Sequence, residues 1–415
     1  MKRSSKISKP VRYVSMIVLV LAFVFAVSIA ASPAKAARSV SQTAISNYLV
    51  AQSNPALTDQ QKIKAAIDAY FTTRYEGQKT LQVQEFAAVV SDANQVWVQK
   101  EQDKRDIELY TAKRFDLQYL SYKYTLKYRV IAIKGNAATV SLYENHEVVF
   151  KALAPVISTL SNLQHVFTLQ NKGGQWSIIQ DQYKDELSEQ MENMSVEQIK
   201  QQVDENYNLY QAPNRHVLDT SEETPQISSI TPGLTTATYN RARAVTYADK
   251  WANGTNPNYY PRQIIKGESV DCTDFVSQVI YSGMGYNPAY VQDGMSVSTP
   301  GWYYTFSTHV GSLQWVNAVD QYNFITRNTL RKGPYGRDTQ GALCPLANGD
   351  VVQIKYYTSD FGHEGVIVSS PFPSCNNLQL SMYQIDAHDN DRKHYPLSAW
   401  AGFPMRFIKI NGYRK

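Results

Sequence analysis

The sequence predicts an α+β fold in two successive parts, each opening with helices and ending in strands. Three observations predict it. A capped amphipathic helix precedes strictly alternating strands in the first half; a Pro-, Ser- and Thr-rich stretch interrupts the chain at 211–236; the second half again places helical patterns before apolar strands. With 415 residues, 43% of them hydrophobic and 12% aromatic, the chain is a folded protein too long for one ordinary core.

The first 36 residues read as an export leader. Lys2, Arg3, Lys6, Lys9 and Arg12 form a basic start, Val14 to Ala31 is an uncharged apolar run, and Ala34-Lys35-Ala36 after Pro33 is a small-residue cleavage signal. Without cleavage the run would be long enough for one membrane anchor. Six of the 41 Lys and Arg and none of the 36 Asp and Glu lie in residues 1–36, so the net charge of +5 belongs to the leader and the remainder carries −1. That balance leaves no basic footprint for nucleic acid. Localisation is expected to be secreted or at the cell wall.

The second segment, 37–190, is expected to be an α+β accessory domain. Thr58 and Gln61 form a capping box, and Ile63, Ile67, Tyr70 and Phe71 recur on one helical face, so a helix covers 58–76. Tyr122, Tyr124, Leu126, Tyr128 and Val130 alternate as a half-buried strand. Lys134-Gly135-Asn136 turns the chain toward Val140 and Leu142. A second hairpin runs from His165 through Lys172-Gly173-Gly174 to Trp176 and Ile179. This order resembles the cone-shaped, cystatin-like folds of the ketosteroid-isomerase type. The Asp and His residues here are read as isolated, so the segment is expected to bind or position rather than catalyse. Residues 191–236 are read as a helix, capped by Ser195 with Gln198 and reaching Tyr210, followed by the linker.

The third segment, 237–415, is expected to begin with a helix over Tyr239–Trp251 and a polar loop over Asn253–Val270. A helix from Cys272 to Gly283 follows, then an irregular stretch over 286–312 and a helix over Trp315–Leu330. Strands are expected at Asp350–Tyr356, His363–Ser369, Gln379–Ala387 and Met405–Ile410.

Cys272 opens its helix, with Phe275, Val276, Val279 and Ile280 on the buried face. A thiol in a first helical turn is expected to have a lowered pKa, and its N–H lacks an intrahelical partner and can face an oxyanion. The alternative is a small buried hydrophobe. His363 stands at the mouth of an apolar strand, where it can serve as base or sit as a hydrogen-bonded strand residue. Pairing Ser369 with about Leu380 would place His363 opposite Asp386. Asp386, His388 and Asn390 share parity and are all candidate orienting groups. Cys344 and Cys375 are either a disulfide that leaves Cys272 free, or two further thiols. No C-x-x-C occurs, and no residue pattern requires a metal or cofactor.

Taken together, Tyr239-Asn240-Arg241, the octet Asp271 to Gln278, Trp302, Trp315, Gly349-Asp350-Val351-Val352-Gln353, Gly362-His363 and His388 to Arg392 resemble the putative amidase domain family over residues 236–412. That family is similar to NlpC-like and CHAP-like cell-wall hydrolases of papain-like fold. The resemblance implies a papain-like domain with Cys272 as nucleophile, His363 as base, and a polar third residue in the His388/Asn390 segment, His388 preferred, Asn390 second and Asp386 third. It implies a secreted cysteine amide hydrolase acting on peptidoglycan peptides. A cysteine peptidase or acyltransferase on protein substrates, and a non-catalytic wall-binding protein with a degenerate hydrolase domain, are the alternatives. Asp274 stands where the family commonly has Asn, and Ser269-Val270 where glycines are usual. The Tyr259/Tyr260 loop could add an oxyanion donor; Trp251, Trp302 and Trp315 could line a groove, with core packing the preferred reading.

Overall fold

The computed structural model describes residues 39–210, 234–259, 263–265, 268–286, 301–355 and 360–415. The leader, Tyr260 and linker residues 211–233 lie outside the described residues.

Helix boundaries in the first half are set by side-chain caps. Ser39 with Gln42 starts α1 (Val40–Ser53), and Thr58 with Gln61 starts α2 (Asp59–Thr80), the expected box. Asn94 caps α3 (Gln95–Arg114), a helix the periodicity did not announce. Four antiparallel strands follow: β1 (Tyr119–Lys134), β2 (Ala137–Phe150), β3 (Ser158–Lys172) and β4 (Gln175–Gln182). The short α4 (Glu186–Gln190) is capped by Asp185 and Ser188, and α5 (Val196–Tyr210) by Ser195 and Gln198. Ile63, Ile67, Tyr70 and Phe71 of α2 bury against Val140, Phe167, Leu169 and Trp176 of the strands. Each such side chain contributes about 1.5–3 kcal/mol when fully buried.

The second half adds β5 (Thr236–Ala237), α6 (Arg241–Trp251), β6 (Gln263–Ile265), β7 (Glu268–Val270) and α7 (Cys272–Gly283). Next come β8 (Tyr304–Thr305), β9 (Val310–Gly311), α8 (Leu313–Val316) and α9 (Ala318–Arg327). The expected single helix over Trp315–Leu330 is thus split: the Asn317 side chain accepts from the Val319 and Asp320 N–H groups and starts a new helix. The chain ends in β10 (Gly333–Asp338), β11 (Val351–Lys355), β12 (Phe361–Ser369), β13 (Gln384–Ala387), β14 (Asp391–Pro396) and β15 (Met405–Arg414). Only the last four residues of the expected strand over Gln379–Ala387 are extended; Leu380–Met382 form a 3₁₀ turn.

Among the described residues one antiparallel sheet runs β1-β2-β3-β14-β13-β12-β11-β15-β10 through both halves. The junction is β3. Its end from Val166 to Lys172 pairs with β4, while Thr159, Leu160 and Ser161 pair with Lys393, Arg392 and Asp391 of β14. The second-half strands are buried on both faces. Val352, Ile354, Ile367 and Phe407 join the first-half core, whereas Val351, Val366, Val368 and Ile408 pack with Phe275, Val276, Val279, Trp302 and Trp315. Burial on both faces explains the continuous apolar runs of these strands. Asn206 of α5 donates to the Ala401 and Phe403 carbonyls, both at 2.7 Å, fixing the first half to the back of this sheet.

The Gly349-Asp350 turn has a clear mechanical role. Gly349 adopts φ 84, a left-handed conformation that favours glycine. The buried Asp350 carboxylate then accepts from Ala347 N–H at 2.8 Å, Ile410 N–H at 2.9 Å and Arg241 Nη1 at 2.7 Å, tying the start of β11 to β15 and α6. Cys344 and Cys375 form a disulfide, and Cys272 is a free thiol.

Histidines and acids in the first half are not isolated, which corrects the sequence reading. Glu144, on the inward face of β2, accepts from Tyr75 and lies 2.9 Å from His165 Nε2, while His165 Nδ1 faces Asp181 at 2.9 Å. Tyr75 also meets His146 Nδ1 at 2.6 Å. Alternation along β2 and β3 brings these polar residues into one buried network that linear spacing conceals. A cavity of about 170 Å³ beside it is lined by Tyr75, Glu144, His146, Glu186, Arg392 and Trp400 among others; Cys272 does not line it.

Candidate active site

Helix α7 is buried along its whole length and begins at Cys272, itself 6% exposed. Its polar residues are absorbed by packing. The buried Asp274 accepts from Trp315 Nε1 and from Gln278 Nε2, and Ser277 Oγ donates to the Trp315 carbonyl at 2.7 Å. Trp302 Nε1 donates to Ser277 Oγ at 3.2 Å. Trp302 and Trp315 are therefore core residues, and half-buried Trp251 serves through its carbonyl. Burial, and then the Asp271 charge, push Asp274 up to about 7.

His363, 2% exposed on β12, brings a ring nitrogen within 4.8 Å of Cys272 Sγ. Its Nε2 lies 3.4 Å from Glu186 Oε1, an ion-pair contact, and its ring meets the Trp400 ring at 5.2 Å. Burial alone would lower the imidazole pKa, but the Cys272, Asp389 and Glu364 charges raise it. For Cys272 burial is the largest influence and pushes the thiol up. His363 pulls it down, and Asp389 and Glu364 push it up again. The lowering expected from the helix terminus is outweighed, because the first-turn thiol is sealed from water beside two acids.

The turn between β13 and β14 supplies a residue that sequence reasoning missed. Asp389 Oδ2 accepts from the Cys272 N–H at 3.2 Å and the Asp271 N–H at 3.3 Å. The carboxylate thus occupies the donor expected to face an oxyanion. Side-chain donor atoms of Cys272, His363 and Asp389 all lie within 4.8 Å of one another. Such a trio could hold a divalent ion, as could Asp271, His388 and Asp391, or Asp249, Asp386 and His394.

The three candidates for orienting His363 are placed elsewhere. His388 Nδ1 faces Asp271 Oδ2 at 2.8 Å, its Nε2 faces the Trp251 carbonyl at 2.8 Å, and its ring stacks on Phe275. With both nitrogens engaged it anchors the start of α7 rather than His363. Burial disfavours its charge, yet Asp271 pushes it up to about 9. Asn390 sits half-exposed in the turn at φ 71, next to Asp389 at φ 59. Asp386 pairs across from Val366, not His363, and its Oδ1 accepts from the His394 N–H at 2.7 Å. The 3₁₀ turn before β13 shifts the register away from the expected pairing of Ser369 with Leu380, so Ser369 lies opposite Gln384. Tyr259 is packed against Tyr304, Phe306 and Trp315 as a core residue.

Comparison with known proteins adds one positive finding. No curated protein and no solved structure matches the chain. Residues 238–410, which contain Cys272, His363, His388 and Asn390, match the family model described as a putative amidase domain.

Proposed function

We propose that the protein is a secreted cysteine amide hydrolase that cleaves peptide amides of cell-wall peptidoglycan through a thioester on Cys272. The observation that carries this reading is the approach of a His363 ring nitrogen to within 4.8 Å of the Cys272 thiol at the first turn of a buried helix, inside the matched region. The leader pattern over 1–36 supports export, and a disulfide is in keeping with an oxidising compartment.

In the first half-reaction His363 takes the Cys272 proton and the thiolate attacks the amide carbonyl. The oxyanion takes up the Cys272 N–H, a donor for which the substrate oxygen must displace Asp389. His363 returns its proton to the leaving amine as the C–N bond breaks. In the second, His363 deprotonates water, which attacks the thioester, and the thiol leaves with that proton. General acid–base transfer of this kind is worth about 10²–10⁴-fold, and covalent catalysis fails without its nucleophile.

Digestion of purified peptidoglycan by the protein, beside Cys272→Ala, tests this with released fragments identified by mass spectrometry. New amine and carboxyl ends made only by the parent are expected and name the bond cut. Equal release by both proteins would refute the thioester route. Release from protein substrates but not from the wall would move the activity to a peptidase.

A further inference from the structure

His363 Nε2 lies at ion-pair distance from a residue outside the matched domain. Glu186 is the first residue of α4, in the first half of the chain, whereas the family match begins at residue 238. It is 3% exposed, and its Oε1 lies 3.4 Å from His363 Nε2, an ion-pair distance outside hydrogen-bond geometry. A ring nitrogen of His363 also lies within 4.8 Å of Cys272 Sγ.

The surrounding chain holds Glu186 at this point from three sides. Asp185, the helix cap, is gripped by Lys104 of α3 at 2.6 and 2.8 Å. Gln190, at the other end of α4, donates to the Gly402 carbonyl at 2.6 Å. Arg392 of β14 makes a two-pronged ion pair with the Glu186 carboxylate, one prong being Nη2 to Oε2 at 2.6 Å. Paired carboxylates of this kind have a fixed plane as well as a charge. Such a group can hold an imidazole by its ring nitrogen, whereas the polar residues in and just after β13 are engaged elsewhere: His388 with Asp271 and Trp251, Asp386 Oδ1 with His394, and Asp389 Oδ2 with the start of α7.

We propose that Glu186, held by Arg392, is the positioning residue for His363: its carboxylate takes the Nε2–H, fixes the ring and presents Nδ1 to Cys272. The first half of the chain thereby completes the active site instead of serving only as a separate binding module. This rests on the cysteine-hydrolase reading. Other charged groups facing His363 are Cys272 on α7, Asp389 in the β13–β14 turn, Glu364 on its own strand, and Glu189 on α4.

Titration of the His363 ring followed by ¹⁵N NMR of histidine-labelled full chain tests the proposal, in the parent and in Glu186→Gln, Glu186→Asp and Cys272→Ala. In the parent the neutral ring is expected to carry its proton on Nε2. Glu186→Gln is expected to lower the His363 midpoint by roughly one unit, a tenfold loss of proton affinity. It should also cut amide turnover at saturating substrate with little change in KM, and Glu186→Asp should recover part of both. A neutral parent ring protonated on Nδ1 would overturn the proposal, and that reading needs no variant to fold. A Glu186→Gln ring titrating like the parent's would overturn it too. Cys272→Ala separates the two levels: a His363 midpoint indifferent to the thiol but sensitive to Glu186 would remove the hydrolase reading and leave Glu186 as a structural partner only.

Discussion

His165 and His363 are both buried strand histidines beside carboxylates, and their surroundings suit them to opposite tasks. His165 has Asp181 on one ring nitrogen and Glu144 on the other, at 2.9 Å each. Burial disfavours its charge, yet these two acids push it up to about 9. Such a ring is a structural cation with no lone pair to offer. His363 has a thiol nearby and an acid at ion-pair distance, 3.4 Å from Nε2, so one of its neighbours can exchange a proton with it. His388 belongs with His165, since its nitrogens meet an acid and a backbone carbonyl. The kind of partner, a thiol rather than acids or a carbonyl on both sides, separates a histidine suited to catalysis from one suited to scaffolding.

The largest effect that could break this contrast is on turnover. Cys272→Ala or His363→Ala is expected to reduce amide release by at least about 10⁴-fold, read by fragment mass spectrometry. The opposite result is expected for His165→Ala: activity per folded molecule is retained while urea unfolding shows a loss of about 3–5 kcal/mol, because Glu144 and Asp181 are left buried without their cation. A His165 variant that folds normally but does not turn over would dissolve the distinction.

Next in size is the role of Asp389. Asp389→Asn removes a negative charge beside both Cys272 and His363, so the thiol pKa should fall. Alkylation by iodoacetamide at neutral pH should then speed up by roughly tenfold, the effect of about one pKa unit on the thiolate fraction. A slower or unchanged rate would mean that Asp389 acts only as a helix cap.

The smallest effect sharpens the contrast through pH. His165 and His388 are raised from 6.5 to about 9, so their contribution is fully present below about 6.5 and is lost as pH rises through about 9. Asp274, Glu364 and Asp386 are raised to about 7, chiefly by burial, so theirs is present below their unfolded values and is lost as pH rises through about 7. Both sets lower stability toward alkaline pH. Urea midpoints measured across that range should fall, and Asp274→Asn should flatten the lower part of the decline. A flat parent curve would contradict the assigned surroundings of these groups.

How much of this was legible in the sequence depended on whether the signal was local. Cys272 at a helix start and His363 at a strand start are both marked by the pattern of their immediate neighbours, and both landed where expected. Asp389 was hidden because parity holds only along an extended strand. Two successive left-handed residues, Asp389 at φ 59 and Asn390 at φ 71, turn the chain and present the other side chain. Glu186 was hidden because nothing local connects a five-residue helix in the first half to a strand in the second; the β3–β14 pairing and contacts such as Gln190 with the Gly402 carbonyl bring them together. Helix α3 escaped because its buried face carries Glu101, Lys104 and Arg105, held by the Arg105–Glu101 pair at 2.8 Å and by Lys104 with Asp185. A face closed by ion pairs leaves little hydrophobic period to read.

The most direct test of the central claim, that His363 alone among the buried histidines controls a nucleophilic thiol, is the pH dependence of Cys272 alkylation in the parent, His363→Ala and His165→Ala. The parent is expected to show two steps, one that follows the His363 titration and one at high pH, where the buried thiol ionises. His363→Ala should retain only a single step at high pH, where a buried thiol ionises, and His165→Ala should follow the parent. A His363→Ala profile superimposable on the parent's would contradict the claim.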